Sequence, residues 1–233
     1  MSVAAGLVTG AAVGALCGWL VAYLQVNSLI VTLGVGILVQ GLAEWRAPTS
    51  GYSMLGATEL TGLFTDDVPV LQLPAAFLIA LALAALIHYL LEHVPWGRHL
   101  TAIGSNRDSA RLIGIAVPRT ILGSFVLSGV LGAVAGMLVL GSFGSVSAQV
   151  MTGAGVAYWL PALAAVYLGA TAFQPGQFNV PGAVVAIIGV KLLGTVFVLA
   201  RVSEAWPENV VNGAALVLAV SFSGYFARRR AGG

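Results

Sequence analysis

Few side chains in this sequence are of types that do chemistry, and their spacing argues against most of it. His88, Glu92 and His93 invite a metal reading. On a helix His88 and Glu92 share a face at i,i+4, but His93 is turned about 140° from His88 at roughly 100° per residue. One histidine with one carboxylate makes a poor zinc site. The group reads better as a membrane-interface cluster with Trp96 as its aromatic anchor, and no metal is expected. No Gly-x-Ser-x-Gly elbow, His-Glu-x-x-His pair or Gly-x-x-x-x-Gly-Lys-Ser/Thr phosphate loop occurs. The chain is therefore not expected to be an enzyme or to hydrolyse ATP by that route. Its intramembrane serines and threonines read as interhelical hydrogen-bonding groups rather than nucleophiles. Cys17, the single cysteine, excludes a disulfide within one chain and reads as a small packing residue.

Lys191 is different because it lies in the middle of an apolar run. A lysine at the centre of a bilayer span costs about 2.5–3.5 kcal/mol on insertion scales, so it must face a cavity, a partner or another subunit. Two readings stand side by side: a pathway or ion-pair lysine, or a lysine on a span whose register is shifted.

The elements that would position these residues are set by composition. The chain has 233 residues, 59% hydrophobic and 8% charged. Soluble domains carry roughly 25% charged residues, so an ordinary water-soluble fold is excluded, and so is intrinsic disorder. No Asp, Glu, Lys or Arg occurs from Met1 to Ala43 or from Thr120 to Val190. A net charge of +2 is too small to imply a nucleic-acid partner. The expected fold is all-α, a single polytopic transmembrane bundle over residues 1–233 with about seven spans. They fall near 3–24, 28–43, 70–91, 120–141, 157–173, 182–200 and 209–227. The second and fifth are short. Gly6, Gly10, Gly14 and Gly18 in the first span, and Ser128, Gly132 and Gly136 in the fourth, form two small-residue ladders suited to helix packing within the chain or to dimerisation.

Orientation follows from Lys and Arg in the short loops. The 92–119 loop carries Arg98, Arg107, Arg111 and Arg119, and the tail carries Arg228, Arg229 and Arg230, so both read as cytoplasmic. The 44–69 loop, with Glu44, Glu59, Asp66 and Asp67 against Arg46, reads as external. Four spans between the two basic segments make these assignments consistent, and counting back places Met1 outside. No Lys or Arg precedes the first apolar stretch, so it does not read as a secretory signal.

Between two spans, residues 95–118 run PWGRHLTAIGSNRDSARLIGIAVP. Asn106 suits a helix start, Asp108 favours its positive end, and Gly114 suits its stop. The physical reading is a short amphipathic helix on the cytoplasmic face that needs a partner surface.

These residues resemble the permease subunits of ABC importers for ribose, xylose, arabinose and related substrates. The matching elements are Gly97, Arg98, Ala102, Gly104, Asn106, the Ala110-Arg111-Leu112 run, Gly114 and Ile115. The stretches 14–33, GALCGWLVAYLQVNSLIVTL, and 163–182, LAAVYLGATAFQPGQFNVPG, extend the resemblance over nearly the whole chain in order. The resemblance implies an importer permease in the bacterial plasma (inner) membrane that translocates a monosaccharide such as ribose. It implies that the 97–115 segment is the loop that couples to a separate ATP-binding ABC subunit. That subunit would hold ATP and Mg, this chain binding no cofactor. It further implies an extracellular or periplasmic sugar-binding protein and a second permease copy, in a homo- or heterodimer within the lipid bilayer.

The sequence departs from the family in two ways. Family members usually carry about three more spans ahead of residue 1, so the chain alone is expected not to be a competent permease half. The span after Gly182 commonly carries asparagines, where this chain has Gly194-Thr195-Val196 with Lys191 one turn earlier. Lys191 and Thr195 are therefore candidates for the translocation path. Two rival readings are a secondary transporter, for which Lys191 is the one candidate coupling residue and no inverted repeat is visible, and a non-transporting membrane scaffold.

Overall fold

The computed structural model describes residues 2–46, 52–53, 67–68, 73–143, 145–146, 158–159, 161–170, 178–199, 210, 213–214, 217 and 221. Four helices among them are long and apolar enough to cross a membrane: Val3–Tyr23, Ser28–Arg46, Ala75–Glu92 and Val117–Leu140. The fold is an all-α polytopic membrane bundle. Two compact units divide it, Met1–Leu83 with Tyr89–Thr152, and Ala84–His88 with Gly153–Gly233.

In the first unit, α1 (Ser2–Tyr23) carries no charge and is apolar all round, as suits a helix with lipid or helix on every side. Its 22 residues span about 33 Å at 1.5 Å per residue, matching a hydrocarbon core of about 30 Å. Gln25 turns the chain with φ +54°, the left-handed conformation common after a helix end. Asn27 then starts α2 (Ser28–Arg46), its Oδ1 accepting the Leu29 N–H at 2.9 Å. The second span is thus not short: it runs 19 residues to Arg46, with an exposed Trp45 in its last turn. Next come α3 (Ala75–Glu92), whose Ala84–His88 stretch belongs to the second unit, then α4 (Pro95–Ser105), α5 (Arg107–Leu112) and α6 (Val117–Phe143).

Helix α1 lies along α6, and the first glycine ladder makes this possible. A Cβ on Gly10 would stand 2.5 Å from the Gly129 carbonyl oxygen and 2.7 Å from Ala133 Cβ. One on Gly14 would meet the Phe125 carbonyl, and one on Gly18 would come within 2.9 Å of Phe125 Cβ. Gly6 lies against the end of Met137. The reciprocal contact on α6 comes from Gly129, whose added Cβ would meet the Gly10 carbonyl. The second ladder behaves differently: Ser128, Gly132 and Gly136 are all exposed, and nothing stands within 4 Å of a Cβ on either glycine.

Two short antiparallel pairings complete this unit. β1 (Tyr52–Ser53) pairs with β4 (Ser145–Val146), and β2 (Asp67–Val68) with β3 (Leu73–Pro74). The β1–β4 pairing ties the 44–69 loop to the far end of α6, while residues 95–116 sit at its near end. The 27 residues of α6 separate the two by about 40 Å.

In the second unit, α7 (Pro161–Ala170) lies within the fifth expected span. It packs on α8 (Val180–Leu199), where a Cβ on Gly169 would come within 2.5 Å of the Gly182 carbonyl carbon. Asn179 pins this approach. Its Oδ1 accepts the Gly182 N–H at 2.7 Å, capping α8, and its Nδ2 donates to the Gly169 carbonyl at 3.5 Å. The Tyr167 and Phe178 rings meet edge to face beside it, centroids 5.6 Å apart. The seventh expected span lies largely outside the described residues.

The hydroxyls correct one expectation. Thr32, Thr120, Ser124 and Thr195 donate to carbonyls three or four residues earlier in their own helices, at 2.8, 3.1, 2.7 and 3.0 Å. Satisfied within the helix, these protons need no interhelical partner.

The two ladders lead to opposite expectations for the same substitution. Gly14→Leu drives a side chain into the α6 backbone and is expected to destabilise the purified chain by about 1–3 kcal/mol. Gly132→Leu enters open space and is expected to stay within about 0.5 kcal/mol. Unfolding midpoints in lipid or mild detergent test this, and equal midpoints for the two variants would refute the α1–α6 contact.

Candidate functional site

Residues 95–116 are built as two helices around one break. Pro95 occupies the first position of α4, where its missing N–H costs nothing. Gly97 is buried because the helix starts hard against the end of α3, where a Cβ would stand 2.5 Å from Leu91 Cα and 2.6 Å from its carbonyl carbon. Trp96 lies over α6, its Nε1 3.6 Å from where a Cβ on Gly123 would sit. The sequence reading places one helix here, beginning at Asn106, and the structure adds α4 ahead of it.

Asn106 serves both helices. Its backbone is extended (φ −158°, ψ 114°), its N–H closes α4 on the Ala102 carbonyl at 3.1 Å, and its Oδ1 accepts Asp108 N–H at 2.9 Å and Ser109 N–H at 3.0 Å to open α5. Asp108 lies in the first turn of α5, as expected, and meets Arg111 at 3.8 Å, an exposed pair worth little. Gly114, at φ +85°, ends α5 in a Schellman motif: the Gly114 N–H donates to the Arg111 carbonyl at 3.0 Å and the Ile115 N–H to the Ala110 carbonyl at 3.1 Å.

The inner face of this segment belongs to the core of the first unit. Ile103 and Ala110 are buried with Cys17, Val21 and Ala22 of α1, Val31 and Val35 of α2, and Val117 and Ile121 of α6, and Ile115 packs against them. Ala102 is half-buried, whereas Arg98, Gly104, Asn106 and Arg111 are exposed, and a Cβ on Gly104 would meet nothing. The structure thus brings together the ten residues singled out in the loop, but divides them. Gly97, Ala110, Gly114 and Ile115 shape the fold, while Arg98, Gly104 and Arg111 face outward. Ile113 is the one addition: it is 74% exposed beside Leu112, already in the family match and 88% exposed, so two adjacent large apolar side chains stand at the tip of a polar loop. The signal for them in sequence is two bulky apolar residues immediately before a helix-stopping glycine.

Lys191 and Thr195 lie in the second unit. Lys191 sits on α8, 11 residues after Val180 and eight before Leu199, on an exposed face it shares with Ile187, Ile188 and Leu192. The Thr195 hydroxyl donates to the Lys191 carbonyl, so it presents an acceptor oxygen outward. At the interface cluster, His93 stacks on Tyr89 with ring centroids 5.1 Å apart. Among the described residues no three His, Cys, Asp or Glu side chains gather into a metal-binding group.

The division among the glycines is testable by thermal unfolding. Gly97→Val is expected to destabilise the chain by about 1–3 kcal/mol through overpacking against Leu91. Gly114→Val is expected to cost at least about 1 kcal/mol in backbone strain, and Gly104→Val to remain within about 0.5 kcal/mol. A Gly104 variant as unstable as the Gly97 variant would overturn this division.

The family described as the branched-chain amino acid transport system permease component matches residues 1–220. The galactose/methyl galactoside import permease protein of Escherichia coli (strain K12) is 29% identical over 231 residues, 95% of this chain and 66% of its own length. The L-arabinose transport system permease protein of the same strain is 33% identical over 210 residues, 89% of this chain and 61% of its own. The autoinducer 2 import system permease protein of Escherichia coli O9:H4 (strain HS) is 30% identical over 216 residues, 89% of this chain and 63% of its own. The chain spans a little under two thirds of the length of these relatives. No solved structure matches it. With apolar membrane-spanning helices and a family match over residues 1–220, this integral membrane protein belongs to the permease-component family of branched-chain amino acid transport systems.

Proposed function

We propose that this chain is a membrane-spanning subunit of an ABC importer for a sugar, driven by ATP hydrolysis on a separate subunit. The observation that carries the reading is the family match over residues 1–220 together with relatives named for galactose, arabinose and autoinducer 2 import. Those names widen the candidate solutes beyond ribose to galactose, arabinose and autoinducer 2. In this reading the chain sits in the bacterial inner membrane with residues 95–118 and the C-terminus cytoplasmic. A second permease copy completes the path, and an external sugar-binding protein delivers the solute. ATP and Mg stay on the ATPase, and this chain contributes no catalytic residue.

The geometry supports a mechanical role for residues 97–115. The exposed Leu112–Ile113 pair offers an apolar tip that a groove on the ATPase would cover, with Arg98 and Arg111 alongside. Behind the tip, four residues, 113–116, join α5 to α6, and within them the Val117 N–H donates to the Ile115 carbonyl at 2.8 Å. Displacement of α5 is therefore passed to the start of α6, and α6 is locked by backbone contact to α1. Closure of the ATPase pair would then tilt these helices as one body.

Reconstitution with an ABC ATPase subunit and a sugar-binding protein tests the reading. Ile113→Asp leaves the fold intact because the side chain is exposed, and it is expected to lower substrate-stimulated ATP hydrolysis by about tenfold or more, the effect of charging the centre of an apolar contact. Full stimulation in both Ile113→Asp and Leu112→Asp would count against docking at this tip. Lys191→Leu is expected to reduce sugar uptake more than membrane expression, and equal losses would remove Lys191 and Thr195 from the path.

A further inference from the structure

A cavity of about 470 Å³ opens under the α4–α5 break, within the size range of small-molecule sites. Its position is set by the ends of three spans. Val21 lies in the last turn of α1, Ser28 is the first residue of α2, and Ile121 and Phe125 lie in the first turns of α6. This is the level at which acyl chains give way to headgroups. The apolar wall of Val21, Ile121 and Phe125 continues toward the hydrocarbon, and the polar residues, Ser105, Asn106 and Arg107, lie at the loop end.

We propose that this cavity binds an anionic phospholipid with a hydroxylated headgroup, of the phosphatidylglycerol type. The donor and acceptor inventory selects that class. Arg107 supplies a guanidinium and, among the described residues, makes no ion pair, because its neighbour Asp108 meets Arg111 instead. Asn106 Oδ1 is occupied by two backbone N–H groups, which leaves its Nδ2 as a donor. A guanidinium with an amide donor fits a phosphodiester. The Ser105 and Ser124 hydroxyl protons go to the Ala102 and Ile121 carbonyls, so their oxygens line the cavity as acceptors. Acceptors beside a phosphate site match headgroup hydroxyls. A choline has no proton to give them, and an ethanolamine ammonium would place a second cation beside Arg107. The site rests on this cavity alone and does not depend on the transport reading.

Native mass spectrometry of the full chain in detergent tests it, with phosphatidylglycerol, phosphatidylethanolamine and phosphatidylcholine titrated separately. Phosphatidylglycerol is expected to bind about tenfold more tightly than either other lipid. Arg107→Gln is expected to weaken it about tenfold, while Arg111→Gln, outside the cavity, leaves it unchanged. Ser124→Leu, which fills the cavity from α6, is expected to abolish the tight adduct and serves should Arg107→Gln disturb the loop. Equal binding of the three lipids, equal effects of the two arginine variants, retention in Ser124→Leu, or displacement by millimolar inorganic phosphate would each overturn the proposal.

Discussion

Two apolar helices inside a bilayer gain nothing by exchanging lipid for each other's side chains, so whatever holds them must come from close contact. The crossing of α1 on α6 meets that constraint by removing side chains altogether, Gly10, Gly14 and Gly18 facing Gly129, Phe125 and Leu122 at backbone distance. Everything at the near end of the first unit depends on this crossing. It fixes where α6 begins, hence where Val117 and Ile121 stand, and those residues with Cys17 and Val21 make the floor on which Ile103 and Ala110 rest. Without the glycines, α1 would stand off by roughly a side-chain diameter and the floor would open.

On that floor, the 95–116 segment is held by local chemistry more than by area. One asparagine ends α4 and starts α5, one glycine seats α4 against α3, and another turns the chain from α5 toward α6. Each of these positions tolerates few residue types for a stated reason: an acceptor two and three residues before the N–H groups it caps, no Cβ against Leu91, and a left-handed φ. The outward residues carry no such demand. The three glycines of this segment therefore differ: Gly97 and Gly114 answer to the fold, whereas a Cβ on Gly104 meets nothing in it.

Much of this was legible in the sequence, and the failures have physical causes. Charge-free runs locate the spans because hydrocarbon excludes charge regardless of which neighbours a helix has. The start at Asn106 and stop at Gly114 were readable because caps are local. Helix α4 was not read, since its two glycines lower helix propensity and its stability comes from the contacts of Gly97, Trp96 and Ile103. The second ladder misled because spacing by four identifies a face without saying what it meets. Gly129, one residue from Ser128, is turned about 100° away and makes the contact. Asn179 was invisible for the converse reason: its importance lies in a carbonyl ten residues earlier, and no local pattern marks that pairing.

The same crossing limits how the two ends of the first unit can communicate. The β1–β4 pairing and the α4–α5 segment sit at opposite ends of α6, about 40 Å apart along its axis. For α6 to slide along α1, glycine and carbonyl contacts would have to separate by a full side-chain width before new ones formed, exposing both backbones to lipid. Rocking of the pair as one body keeps every contact. Rigid tilting of α1 with α6 is therefore the displacement this packing opposes least, because it leaves each glycine against the backbone it already meets.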